Sequence, residues 1–312
     1  MKNELNYYYN LNPLIIRHFK DRYCFEYNKE YYSLIEITKN MDIEKAYNIS
    51  IDLNNKGIYT HQFVLNSSNN IITTINNINY VLLKSNRKYD QQITINDLIS
   101  FSNNTVGIIN SKYTRSNWYD LWINKMDYFE YQIDSFKKKY PLIKESFEYY
   151  SGIVETGISM LVNEKNNGYL LCICHNRINK DTSLFELYNP LNFMIDVRVR
   201  DVAEYFKSSI DENTYNQVIE YLNYNNLNTD EIKLFFIRMI YPSFYFDEIE
   251  KIFLDSNYKS KLKKIIDKNN IYEKLIKKIY VYIKQTYTIE DIEWLNIKWH
   301  LLLPLLHELP LL

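Results

Sequence analysis

Glycine and alanine are nearly missing from this chain. Its 312 residues include only 5 glycines, and alanine stands only at Ala46 and Ala203. Gly57 and Gly107 are the only glycines before residue 150, so no glycine-rich loop is available there to cradle phosphates. Cysteine is limited to Cys24, Cys172 and Cys174, which excludes a disulfide framework and suits a reducing cytosol. Charge bias is absent too: 37 basic residues face 38 acidic ones, so bulk charge gives no support for nucleic-acid binding. No apolar run reaches the roughly 20 residues that span a bilayer. Met1 to Asn12 lacks the basic-then-apolar order of a secretion signal. No Gly-x-Ser-x-Gly string marks a hydrolase.

What is abundant is tyrosine, at 31 residues, together with Asn, Lys and Ile. Residues with AT-rich codons are favoured, as in a low-GC bacterium. The functional alternative is a Tyr-rich chain suited to oxidative cross-linking in an extracellular coat. With Asn so common, it is expected to mark turns less reliably than usual.

The first hundred or so residues read mainly as strands and turns. Arg22–Tyr27 and Tyr31–Ile37 flank the turn Asn28-Lys29-Glu30 as a hairpin. Asp42 caps a helix in which Ile43, Ala46, Tyr47 and Leu53 share a face, and Gly57 ends it. Gln62–Leu65, Ile71–Ile75 and Tyr80–Lys84 read as further strands. The chain then turns helical. Trp118, Leu121, Trp122, Met126, Phe129, Ile133 and Phe136 recur at helical steps, with Ser116 as the expected cap and Lys137–Lys139 at the C-terminal end. Pro141 opens a helix bearing Phe147, Tyr150, Val154, Ile158 and Leu161. Helices resume at about 213–226, 229–240, 243–254 and 258–286.

Between these helices lies the stretch from Gly168 to Lys207. It reads as an apolar strand, a loop led by His175, a short hairpin, Ile195-Asp196, and Arg200-Asp201 opening a helix. This is the layout of the catalytic half of a kinase-like fold, which needs an acid just past the loop His, and a loop Asn and a second Asp for Mg²⁺. In aminoglycoside phosphotransferases and choline kinases the loop reads His-Gly-Asp, then Asn five residues on. Here Asn176 and Arg177 follow His175, and Thr182 takes the Asn slot. Arginine neither accepts a proton nor binds a metal.

Several strings resemble the YutH-type spore coat proteins, relatives of the CotS coat proteins with an aminoglycoside-phosphotransferase fold. They are Trp118-Tyr119-Asp120-Leu121-Trp122, Lys125-Met126-Asp127, and Phe147-Glu148-Tyr149-Tyr150-Ser151-Gly152 with Glu155 and Ile158. Cys174-His175, Asp196 through Tyr205 and Ile292-Glu293-Trp294-Leu295 complete the set. The resemblance covers roughly 115–207. It implies an α+β, two-lobed protein-kinase-like fold. A small antiparallel-sheet N-lobe would occupy 1–90 and a larger helical C-lobe 91–312, with the boundary inside 85–115. It also implies association with the forming spore coat, assembly in the mother-cell cytoplasm, and other spore coat proteins as partners.

Within that frame Asp196 is a candidate Mg²⁺ ligand, or a carboxylate that caps a turn. The resemblance gives Asp201 and His175 structural roles: the Asp braces the loop through backbone hydrogen bonds, and the His orients it by packing. Asp181, or Asn179 in a slipped register, could supply the missing loop chemistry; solvated loop positions are the plainer reading. Lys84, with Glu44 as ion-pair partner, is the candidate for nucleotide phosphates in a Mg·ATP site, though Lys84 on a late strand and Glu44 on a helix surface both suit solvent. Cys172 and Cys174 share a strand face while His175 faces away, so buried strand cysteines outrank a zinc site. The tail Trp299–Leu312 is apolar, too short to span a membrane, and interrupted by Pro304 and Pro310; it reads as a strap on the C-lobe or a docking peptide. The functional expectation is a pseudokinase acting as a scaffold in coat assembly. The alternatives are an active phosphotransferase with a divergent loop, or a nucleotide sensor that signals by conformation.

Overall fold

The structure is a computed structural model. It describes all residues except 20–21, 39–40, 87, 89–90, 109–113, 137–140, 164–168, 209, 253–257, 288, 290 and 297–312. Lys137–Lys139 and the apolar tail Trp299–Leu312 lie outside the described residues. The chain forms two compact units, Met1–Ser116 with Leu170–Tyr205, and Asn117–Tyr169 with Phe206–Leu312.

The first unit is built on an antiparallel sheet of β1 (Ile16–Phe19), β2 (Arg22–Tyr27), β3 (Glu30–Glu36), β4 (Gln62–Val64), β5 (Ile72–Ile75) and β6 (Ile78–Ser85). Its order is β1-β2-β3-β6-β4, and β5 pairs with β6. Turn chemistry sets the registers. Tyr27 pairs with Glu30 across Asn28 and Lys29, whose φ values are 52° and 65°. Ile75 pairs with Ile78 across Asn76 and Asn77, at 50° and 66°. Two-residue hairpins need this left-handed backbone to match strand twist, and Asn tolerates it better than other residues with a Cβ. Apart from Lys29, every non-glycine residue with positive φ among those described is Asn. Asparagine therefore does what the missing glycines would have done, and it marks turns better than the composition suggests.

Helices also occupy the N-terminal hundred residues, beyond the one expected. Helix α1 (Lys2–Tyr9) buries Leu5 and ends on Asn10 in the left-handed conformation. Helix α2 (Ile43–Asn55) is capped by Asp42, whose carboxylate accepts from Lys45 N at 3.0 Å. Helix α3 (Ile95–Thr105) starts with a Thr94–Asp97 capping box and buries Leu98, Phe101, Ser102 and Thr105.

The second unit is helical: α4 (Trp118–Phe136), α5 (Pro141–Asn163), α8 (Thr214–Tyr224), α9 (Thr229–Ile240), α10 (Ser243–Ile252), α11 (Tyr258–Thr286) and α12 (Glu293–Asn296). Trp118, Trp122, Met126, Phe129 and Ile133 form the buried stripe of α4. Its first free amides are met by Asn117, not Ser116: Asp120 N donates to Asn117 Oδ1 at 3.3 Å. Arg238 of α9 lies over the rings of Trp118, Trp122 and Tyr241 at 5.1, 5.8 and 5.5 Å, so its buried charge rests on aromatic faces. No helix among the described residues is long and apolar enough to cross a membrane.

Candidate functional site

Two strands and the start of one helix assemble the site within the first unit. β7 (Leu171–His175) pairs antiparallel with β8 (Phe193–Val197), and α7 (Arg200–Ser208) follows after a turn at Arg198-Val199. The expected short hairpin after His175 is instead a one-turn helix, α6 (Leu184–Leu187), and a 3₁₀ turn at Pro190–Asn192. Every residue of β8 is buried, so Asp196 stands in an apolar strand at 2% exposure. A lone ionised carboxylate there would be costly; it persists because it is paired.

The partner is Arg200. Its Nε lies 3.2 Å from Asp196 Oδ2, and its Nη1 lies 2.7 Å from Asp201 Oδ1. Nη1 also donates to the His175 carbonyl at 2.5 Å, and Nη2 to the Asn176 carbonyl at 3.5 Å. Burial opposes charge on this guanidinium, but Asp201 and Asp196 outweigh it, and the group titrates above the usual arginine range. The other Asp196 oxygen, Oδ1, accepts the Val197 amide at 2.7 Å.

Asp201 faces His175 as well. The His175 amide donates to Asp201 Oδ2 at 3.0 Å, and ring Nδ1 lies 2.6 Å from the same oxygen. Ring Nε2 lies 3.0 Å from the Leu187 carbonyl. A carbonyl only accepts, so the ring donates to it from Nε2. Four buried groups thus interlock: two carboxylates, one guanidinium and one imidazole.

The loop after His175 holds none of these carboxylates. Arg177 is exposed, and its amide donates to Asn192 Oδ1 at 3.4 Å. Asn179 and Thr182 close a turn on each other: Asn179 N donates to Thr182 Oγ1 at 3.0 Å, and Thr182 N to Asn179 O at 3.1 Å. Asp181 sits on that turn, exposed, its amide bonded to Asn179 Oδ1 at 2.9 Å.

The segment beyond is fastened to the sheet. Ile93 N donates to Thr182 O at 3.0 Å and Leu184 N to Gln91 O at 2.8 Å. Arg22, at the start of β2, lies 3.9 Å over the Phe185 ring and places Nη1 2.6 Å from Glu186 Oε1. His61 is fully buried and donates from Nε2 to Phe185 O at 3.0 Å. Burial, opposed by that bond and reinforced by nearby Arg22, pushes its imidazole down to about 3. His61 is therefore neutral.

Of the remaining candidates, Lys84 and Glu44 lie outside this cluster, whereas Cys172 pairs across the strands with Asp196. Lys84 donates to Glu30 Oε1 at 3.1 Å, and Glu30 also accepts from Tyr32 at 2.8 Å. Glu44 lies exposed on the first turn of α2. Cys172 and Cys174 are both buried with sulfurs 3.7 Å apart; Cys172 contacts Ser102 Oγ and Cys174 donates to Val197 O. Among the described residues no group of three or more His, Cys, Asp or Glu could hold a metal ion. Sequence reasoning missed Arg200, Arg22, Glu186 and His61. The only local signal was the Asp196-to-Arg200 spacing; Arg22 and His61 meet partners 164 and 124 residues away.

Known proteins give the family and the fold. The Spore_coat_YutH model, described as "Spore coat putative kinase YutH", matches residues 2–279. The endospore coat-associated protein YutH of Bacillus subtilis (strain 168) is 27% identical over 165 residues, 45% of this chain and 47% of that protein. The match thus spans about half the length of that relative. Among solved structures, AMP-bound spectinomycin phosphotransferase APH(9)-Ia superposes with a TM-score of 0.58 at 12% identity, over 89% of this chain and 96% of that one. The aminoglycoside phosphotransferase of Alicyclobacillus acidocaldarius gives 0.54 at 10%, over 88% and 93%. Choline kinase LicA of Streptococcus pneumoniae gives 0.51 at 10%, over 90% and 98%. The antiparallel sheet and the helical C-terminal portion are those of the kinase-like aminoglycoside phosphotransferase fold, and the chain belongs to the spore coat YutH family.

Proposed function

We propose that this chain is a non-catalytic, kinase-like scaffold that works with other coat proteins on the forming spore, from the mother-cell side. The observation that carries the reading is Arg177. It stands two residues past His175, where a phosphotransferase of this fold presents the carboxylate that receives the hydroxyl proton. A guanidinium has five donors and no acceptor, so it cannot take that proton. Other positions agree: Thr182 replaces the metal-binding Asn, and Lys84 is committed to Glu30. His175 and Asp201 keep their bonds because they hold the loop, which a scaffold needs as much as an enzyme does. The two-lobe division at about residue 90 belongs to the same proposal.

The test is genetic and biochemical. In a sporulating host lacking the gene, the wild-type chain and Asp181→Asn should restore the coat protein profile equally. Restoration by the wild type alone would point to loop chemistry. A second reading, phosphotransfer by a rewired loop, is favoured by the exposed Asp181 carboxylate and by the kinase activities named for the structural neighbours.

A further inference from the structure

The fold implies a divalent metal at Asp196, and the residues present do not fit one. We propose that the guanidinium of Arg200 is a built-in cation that takes the metal's place. Four oxygens surround it: Asp196 Oδ2 at 3.2 Å, Asp201 Oδ1 at 2.7 Å, His175 O at 2.5 Å and Asn176 O at 3.5 Å. Carboxylates with backbone carbonyls are the ligand chemistry of hard divalent ions, and here a side chain of the same chain satisfies all four. The inference deepens the non-catalytic reading and rests on Asp196 standing after an apolar strand, where the kinase fold places its metal-binding acid.

The arrangement is stable on electrostatic grounds. Asp196 and Asp201 both lie inside the unit at 2% and 4% exposure. Two buried carboxylates repel each other unless a cation sits between them. A diffusible ion does this only when it is present, whereas Arg200 does it always and cannot lose its proton. Arg200 also opens α7, where the helix dipole disfavours a positive charge. Its place there is explained by the oxygens it serves, not by the helix. The chain thus carries a cation of its own beside the acid that in a kinase would hold the metal.

Two properties follow. The wild-type protein is indifferent to divalent cations at this site. Removal of the guanidinium takes the cation away from these four oxygens and opens a latent site for Mn²⁺ or Mg²⁺.

The test uses the full-length chain with Mn²⁺ alone, read by thermal unfolding and by the loss of the free-ion paramagnetic resonance signal. Wild type should give the same midpoint in millimolar Mn²⁺ and in EDTA, with no bound ion. Arg200→Ala should unfold roughly 10 °C lower or more, the size expected for orphaned buried charges. It should recover part of that loss in Mn²⁺ and bind the ion, and Arg200→Ala/Asp196→Asn should not. Mn²⁺ binding by wild type that Asp196→Asn abolishes would overturn the proposal, as would a folded Arg200→Ala protein with no metal response. If the alanine variant does not fold, Arg200→Lys decides. A folded, metal-indifferent lysine variant supports the built-in cation. One as unfolded as alanine overturns it, because charge then fails to substitute. Phosphate transfer by wild type would sink the non-catalytic reading; metal at Asp196 without turnover would sink only this one.

Discussion

His175 Nδ1 lies 2.6 Å from Asp201 Oδ2, and both side chains are almost completely buried. The contact ties the end of β7 to the start of α7 and fixes the loop between them. Removing one partner of such a pair leaves an uncompensated buried polar group. Asp201→Ala should cost about 3–5 kcal/mol in chemical denaturation. His175→Phe, which keeps the ring volume and the backbone amide bond but loses the two ring hydrogen-bonding positions, should cost less than Asp201→Ala. The reverse order would contradict the placement of Asp201 as the hub.

Arg22 and Glu186 make a second long-range tie, with the Arg22 guanidinium also on the Phe185 ring. A double-mutant cycle of Arg22→Ala and Glu186→Ala should give a coupling of about 0.5–3 kcal/mol. A value near zero would show that Glu186, part exposed, is held by Asn189 and solvent instead.

Helix α5 offers a paired test of packing. A Cβ on Gly157 would meet the Trp122 ring at 3.2 Å, and Trp122 cannot retreat because it stacks on Tyr241 at 4.1 Å. Gly157→Ala should destabilise by about 1–3 kcal/mol despite the better helix propensity of alanine. Gly152, with open space around its Cβ position, should gain up to about 1 kcal/mol from the same change. Equal effects at the two sites would refute the close approach.

The pH dependence of stability has two opposed sources. His61 titrates near 3 when folded, below its ordinary range, so between roughly pH 3 and 6.5 the unfolded chain binds more protons. Stability at that site therefore falls as pH drops through this window, by at most about 1.4 kcal/mol per unit. Glu273 on α11, bonded by Tyr149, is raised by burial to about 7. Its folded form holds the extra proton between about 4.5 and 7, so it stabilises at the acid end and loses that contribution as pH rises through 7. Between about pH 4.5 and 6.5 the two slopes oppose each other, so Glu273→Gln should leave a thermal midpoint that rises with pH there, and His61→Phe one that falls.

Local chemistry made much of the fold legible. Asp42 before Ile43, the three-and-four spacing of Trp118, Trp122, Met126 and Phe129, and the paired turns at Asn28 and Asn76 each act within a few residues. Helix α3 escaped because its buried face includes Ser102 and Thr105, which interrupt an apolar stripe. Helix α1 escaped because it fully buries only Leu5. In the site, His175, Asp196 and Asp201 could be placed from strand and helix order. What they bond could not, because the turn at Arg198-Val199 brings Arg200 back over Asp196, and α6 reaches residues of the sheet far along the chain.

The most direct measurement is calorimetric titration of the wild-type chain with Mg·ATP, repeated in EDTA. A nucleotide at 100 times its dissociation constant would add about 2.7 kcal/mol of stability, so thermal unfolding gives an independent reading. The account predicts no binding heat and no shift at millimolar nucleotide. Metal-dependent binding that EDTA removes would contradict it.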